Sequence, residues 1–471
     1  MASSIPKPPG IFLLGNLFDV NASNPWNSFN KLATKYRPIC KVTILGHDIV
    51  LVTGAALIEE ICDETRFRKC VAGPIVEIRQ AVHSSLFTAY NNELESWGVA
   101  HRIMAPLVSW EAVEQVFADM REVSTDLIKK WTAGPRQRVN VTDDLDRVNH
   151  AANMLCFFDQ RLHCLEGPEP SLIKAMEGAT TEAVRRPSRP KILNWLFYQR
   201  KFDTYNQTMR DYSASCIEHR RANPSAKKDM LHAIMEGKDP QTGEGLNEEQ
   251  MIDEIINCFI GSATAPNLVA FALYYLIKNP HILARAREEI DSVVGPNPSS
   301  KIEHHHLAAL PYCTAILREA MRLSPPAPGF NIEPIPAATK EEENTPVLLA
   351  GGQYQVPRNQ PLIAILYGVN RDPAVFDNPE AFNPDRMLGE KYEQLPEGVK
   401  KGFGNGKREC IGKRYAWEWS LFTLITIMKD VEVDLADKGY VTDGAGDHYN
   451  GAFTVKPLDF FAITGPRPRI G

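Results

Sequence analysis

Long apolar runs are missing from this 471-residue sequence. The amino-terminal apolar patch, Ile11 to Leu14, follows Pro6, Pro8 and Pro9 and is bounded by Gly10 and Gly15. It falls well short of the roughly 20 apolar residues that cross a bilayer and of a secretory core segment, so no transmembrane segment and a cytoplasmic location are expected. Paired cysteines are missing too. The nine cysteines are odd in number and no two are spaced C-x-x-C, which argues against a disulfide framework or a zinc ribbon. A reducing compartment follows, with most thiols acting as small buried apolar groups. There is no basic excess: 52 Lys and Arg against 58 Asp and Glu leave a net charge of −6, which argues against a nucleic-acid partner. Repeats and long flexible linkers are also lacking, so the whole of 1–471 reads as one unit, although length alone would allow about three domains.

What is present is mostly helical periodicity. Residues 41–53 carry two β-rich runs around Gly46, His47 and Asp48 and predict a hairpin. Helices are predicted over 55–62, 111–131, 143–158, 200–221, 282–294, 311–323 and 411–429. A long helix over 247–278 begins at an Asn247 cap with Glu248 and Glu249 in its first turn, and its middle is apolar nearly all round, as a core helix is. Residues 325–410 are rich in Pro, Gly and short β runs. The fold class expected is mainly α with a minor β part. His304, His305 and His306 read as a solvated loop before a helix more readily than as a metal site.

The chemistry concentrates in Phe403-Gly404-Asn405-Gly406-Lys407-Arg408-Glu409-Cys410-Ile411-Gly412. A cysteine at a loop-to-helix junction has its thiolate stabilised by helix N–H groups. Glycines let backbone approach a flat cofactor, Arg408 can pair with that cofactor's carboxylate, and Phe403 can shield the sulfur from water. A buried cysteine in a glycine-rich turn does not account for the ordered set F-x-x-G-x-R-x-C-x-G.

At these residues the sequence resembles the cytochrome P450 family, the haem-thiolate monooxygenases. The resemblance implies that family's fold, one large helical domain around a buried haem b (iron protoporphyrin IX), with Cys410 as iron ligand. Glu319-Ala320-Met321-Arg322 matches the E-x-x-R motif, with Arg386 in Phe382-Asn383-Pro384-Asp385-Arg386 as the third, structural member. Trp97-x-x-x-His101 matches the helix whose donors reach the haem propionates, with His101 and Arg408 neutralising them. Residues 62–67, 86–88, 237–244 and 271–275 carry a closer likeness to soluble fatty-acid hydroxylases fused to a diflavin reductase. FAD, FMN and NADPH are therefore implied through a reductase partner, fused or separate. Lys400, Lys401, Lys407, Lys413 and Arg414 would form a basic docking face for it.

Two departures bear on function. The central helix keeps the alcohol of the family's acid–alcohol pair as Thr264, but the acid position is Ala263, followed by Pro266. Alanine relays no proton, and proline should bend the helix or free a carbonyl there. The hairpin positions that hold a fatty-acid carboxylate in such hydroxylases read His47 and Leu51, a poor pair for that task. Phe87, Ala327 and Pro328 would complete the substrate pocket. The expected function is monooxygenation of a small apolar or specialised metabolite. The alternative is a lyase, dehydratase or isomerase needing no reductant; a haem carrier without catalysis is the third reading.

Overall fold

The computed structural model describes residues 4–442, 450–451 and 453–468. Strands among them are β1 (Ile39–Ile44), β2 (His47–Val52), β3 (Phe67–Lys69), β4 (Gln137–Asn140), β5 (Gly329–Pro334), β6 (Val347–Leu349), β7 (Tyr354–Val356), β8 (Leu362–Ile365), β9 (Val431–Leu435) and β10 (Phe461–Pro466). They form a five-stranded sheet in the order β1-β2-β8-β5-β3, a three-stranded sheet β4-β10-β9 and the pair β6-β7. Helices make up most of the rest, so the fold is mainly α with a smaller sheet part, as expected. The helices that position the site are α1 (Pro25–Lys35), α2 (Leu94–Met104), α3 (Val141–Phe158), α4 (Ser171–Arg185), α5 (Glu248–Ser262), α6 (Ala265–Lys278), α7 (Pro311–Leu323) and α8 (Lys413–Asp430).

The hairpin forms, with its turn one step earlier than the sequence implies. Leu45 and Gly46 take positive φ and His47 already pairs with Ile44, the geometry a two-residue hairpin turn requires. The first sheet packs against α1, whose Ala33, with Trp26 and Phe29, covers the inner end of β2. Leu51 is fully buried there.

The expected long helix over 247–278 is two helices. Asn247 caps α5 through a reciprocal capping box with Gln250. The helix stops at Ser262, and α6 resumes at Ala265 with Pro266 in its first turn. Proline has no N–H to return to the Ser262 carbonyl, and that carbonyl instead accepts from Asn149 Nδ2 of α3 at 3.1 Å. The Ala263 carbonyl accepts from Asn267 Nδ2 at 2.9 Å, and the Gly261 carbonyl from Thr264 Oγ1 at 3.1 Å. Side chains thus satisfy the carbonyls exposed by the break. The segment Glu248–Lys278 is long and apolar enough to cross a membrane, yet 67% of its most apolar window is buried inside the protein. It is the core helix that the sequence predicted.

The predicted helix over 111–131 is likewise divided, into Trp110–Gln115 and Phe117–Trp131. His304 starts a short helix, where Nε2 lies 2.8 Å from Glu418 Oε2, and His306 caps Glu303. Among the described residues no cluster of metal-ligating side chains occurs.

Candidate cofactor and substrate site

A cavity of about 1200 Å3 lies between the sheet, α2, the α5–α6 break and the cysteine loop. Cys410 borders it. Of the nine cysteines only Cys410 is exposed, and its exposure is toward this cavity. Its loop is shaped by local backbone: the Cys410 N–H donates to the Phe403 carbonyl at 2.9 Å, and Gly404 and Gly406 take φ of 87° and 59°, a region that favours glycine. A Cβ on Gly406 would lie 2.1 Å from Glu64 Cδ. Burial pushes the Cys410 thiol up, the Gly412 N–H aimed at the sulfur pulls it down, and the Lys413 and Lys69 cations act in the same downward sense. Burial outweighs these contributions and Glu409 adds to it, so the thiol sits above its ordinary range.

Arg408 lies over the Trp97 ring at 5.1 Å and donates through Nη2 to the Ala89 carbonyl at 3.0 Å. Its Nη1 is buried with no partner among the described residues, and burial pulls the guanidinium down to about 10. Trp97 and His101 stack with centroids 4.7 Å apart, both facing the cavity. Burial, Arg102 and Arg408 hold the imidazole below its usual range.

Sequence reasoning missed Lys69 at the end of β3. It lies over the Phe87 ring at 4.5 Å, donates to the Phe87 carbonyl and lines the cavity. Burial and the nearby Arg408 push this ammonium well down. Only the β3–β5 pairing brings it here, so no local motif marks it.

Two cations in an apolar cavity need an anionic partner. The unpartnered Arg408 Nη1, with Lys69 beside it, fits the propionates of a haem, and the Cys410 thiol fits its iron. Gly261 and Gly412 both line the cavity, and a Cβ on either would meet no atom within 4 Å. Backbone is therefore bare toward the space that a flat ring would fill.

Comparison with known proteins decides the family. The sequence profile described as Cytochrome P450 matches residues 5–455. The chain belongs to the cytochrome P450 family. A bifunctional cytochrome P450/NADPH–P450 reductase of Aspergillus oryzae is 34% identical over 463 residues, 97% of this chain and 41% of the relative. A second bifunctional protein of that description, from Acremonium egyptiacum, is 33% identical over 470 residues, 98% of this chain and 43% of the relative. A self-sufficient cytochrome P450 monooxygenase of Aspergillus niger is 34% identical over 466 residues, 98% of this chain and 41% of the relative. The chain thus spans about two fifths of these relatives, and as a P450 its cofactor is haem.

The Glu-Arg motif forms a buried knot. Glu319 and Arg322 pair through two bonds of 2.7 and 2.8 Å, and Arg386 Nε stands 3.4 Å from Glu319 Oε1. Arg322 also donates to the Asn370, Pro379 and Ala381 carbonyls. Met321, on the same helix, packs so closely on Gly402 that a Cβ there would lie 2.9 Å from its sulfur. The knot is in this way braced against the cysteine loop.

Thr264, Phe87, Ala327, Pro328, Phe403 and His47 all line the cavity. Leu51 does not, and this corrects the sequence reading. Leu51 shares the strand face of His47 but lies under α1; on that face His47 and Ile49 reach the cavity. Ala263 does not line the main cavity either; it borders a second, smaller one. The basic face is also more mixed than a count of cations implied. Lys400 pairs with Glu397 at 3.0 Å, Lys413 with Glu409 at 2.8 Å, and Glu64 accepts from the Lys407 N–H. Arg414 lies 5.2 Å from the ring of Trp110, which is exposed.

Proposed function

We propose that the chain is the haem domain of a monooxygenase that inserts oxygen into a small apolar metabolite, works in the cytoplasm and receives electrons from an NADPH-dependent diflavin reductase. The observation that carries this reading is the convergence of Cys410, Arg408, Trp97 and Thr264 on one cavity with mainly apolar walls. Relatives that bear a reductase or monooxygenase name support it.

When bound, haem supplies an iron that accepts electrons and activates dioxygen. Cys410, its sulfur within reach of the Gly412 N–H, would hold it. Arg408, Lys69, Trp97 and His101 would hold its carboxylates. Thr264 carries the hydroxyl that orders water on the central-helix side. Phe87, stacked edge-on with Phe453 at 5.5 Å, narrows the approach of substrate, and Leu86, Ala327 and Leu268 exclude water around it. His47 beside Ile49 at the sheet provides no strong carboxylate clamp, so an apolar or specialised metabolite is favoured over a simple fatty acid.

A second reading rests on Ala263. With no carboxylate beside Thr264, the same cavity suits a lyase, dehydratase or isomerase that uses no electrons. Incubation of the haem-loaded chain with a diflavin reductase, NADPH and an apolar substrate panel separates the two. The proposal expects product that contains an atom from labelled dioxygen. Product formed without NADPH or dioxygen would overturn it in favour of the second reading.

A further inference from the structure

Behind the α5–α6 break lies a second cavity of about 50 Å3 that the chemistry above does not use. Its walls include Asp146, Asn149, His150, Glu177, Asn267 and Lys456, with Ala263 at one side. Asp146, Asn149, His150 and Asn153 recur at i, i+3, i+4 and i+7, so α3 turns one polar stripe toward the break. That stripe runs from this cavity to the main one, which Asn153 lines. The two cavities share Ile260, Ser262 and Thr454 as walls.

Two features mark the space as one for water. It exceeds the roughly 10–15 Å3 that one water needs. Its walls also hold amide atoms without partners among the described residues: Asn149 Oδ1 and Asn267 Oδ1 are unbonded there, as is Asn153 Nδ2 farther along the stripe. These residues are 4%, 1% and 3% exposed, and buried amide atoms call for a partner. Ser262 donates to the Phe259 carbonyl at 2.8 Å, so its oxygen can accept from such a water.

The far end of the cavity reaches solvent through an ion cluster. Lys456 Nζ lies 3.4 Å from Asp146 Oδ2 and 3.1 Å from Glu177 Oε1, and the Glu177 side chain is 43% exposed. We propose that waters in this second cavity carry protons from Asp146 past Ala263 to the oxygen site, in place of the carboxylate that Ala263 lacks. The inference rests on the monooxygenase reading. Each insertion takes RH, O2, two electrons and two protons to ROH and H2O; the electrons come from NADPH through the reductase. Asp146 releases its proton into the water chain, the Lys456 ammonium holds the carboxylate formed, and Glu177 returns a proton from solvent.

The surroundings agree with this role. Burial raises Asp146 to about 6, Lys456 opposes the shift, and Glu177 and Asp143 add to it. Asp143 pairs with Arg147 at 2.9 Å, Glu169 is coupled to Glu177 and Asp143, and burial lowers His150 to about 4, which leaves it neutral near pH 7. A proton source with its pKa near the working pH is the efficient kind.

The test uses the haem-loaded enzyme with its reductase, comparing wild type with Asp146→Asn, Asp146→Glu and Asp146→Asn combined with Ala263→Glu. Infrared difference titration should show a protonated carboxyl band that disappears near pH 6 in wild type and is missing in Asp146→Asn. The share of NADPH electrons released as hydrogen peroxide should rise several-fold in Asp146→Asn, with a changed pH profile. It should return toward wild type in Asp146→Glu and in the double variant. Unchanged peroxide release and pH profile in Asp146→Asn would overturn the route, and so would a loss that Ala263→Glu fails to rescue, since that marks a structural role. If wild type takes up no dioxygen with reductant, the monooxygenase reading and the route fall together; normal wild-type uptake with an indifferent Asp146→Asn removes the route alone.

Discussion

Arg408 is satisfied on one side only: Nη2 bonds the Ala89 carbonyl, while Nη1 has no partner among the described residues. A hydrogen bond to a charged group is worth about 1.5–3 kcal/mol. Arg408→Ala should therefore release haem about ten- to a hundredfold faster in a transfer assay to apomyoglobin. Glu254 shows a different one-residue effect. It accepts from the Leu86 N–H at 2.9 Å, beside Phe87, and burial raises its carboxyl to about 8. The native state keeps this proton between pH 4.5 and about 8, where the unfolded chain has released it, so stability falls as pH rises across that window. Thermal melts of Glu254→Gln should show that fall reduced; an identical pH profile would contradict the assignment. At this scale Cys410, Arg408 and Thr264 were legible because their motifs are local in sequence. Lys69 and Glu254 were not, because their significance comes from a strand pairing and a loop contact over 160 residues away.

The break between α5 and α6 was foreshadowed by Pro266, since the chemistry of proline predicts either a bend or a freed carbonyl, and the freed carbonyl occurs. What fills the gap was not legible, because Asn149 stands 113 residues from Ser262. Asn149→Ala leaves the Ser262 carbonyl without its protein partner, which should cost about 1–3 kcal/mol of stability, measured by urea unfolding. An unchanged midpoint would show that water replaces the amide fully. The hairpin teaches the converse limit. The resemblance placed His47 and Leu51 together at the hairpin, and they do share a strand face, but it does not say where α1 begins to cover that face. Periodicity gives the face of an element, and tertiary packing decides which part of that face meets the cavity.

Across the whole molecule, the class of fold was legible because helical periodicity dominates and three separated motifs must meet at one cofactor. The soft three-domain prior gives way to a core cluster that spans residues from Ile78 to Ala462. The Glu319–Arg322–Arg386 knot connects distant parts of that core to the cysteine loop. Removing one partner of a buried ion pair costs about 3–5 kcal/mol, so Glu319→Ala should lower the unfolding temperature markedly and yield chain with little bound haem. The second cavity could not be read from sequence at all, since its walls come from α3, α4, the helix break and the segment around Lys456. The account as a whole depends on one bond, that of Cys410 to the haem iron. Its most direct test is the absorption spectrum of the reduced protein under carbon monoxide, for wild type and Cys410→His. The account predicts a band at the thiolate-haem position in wild type that moves to the histidine-haem position in the variant. A wild-type spectrum without the thiolate band, or a band unaffected by the substitution, would contradict it.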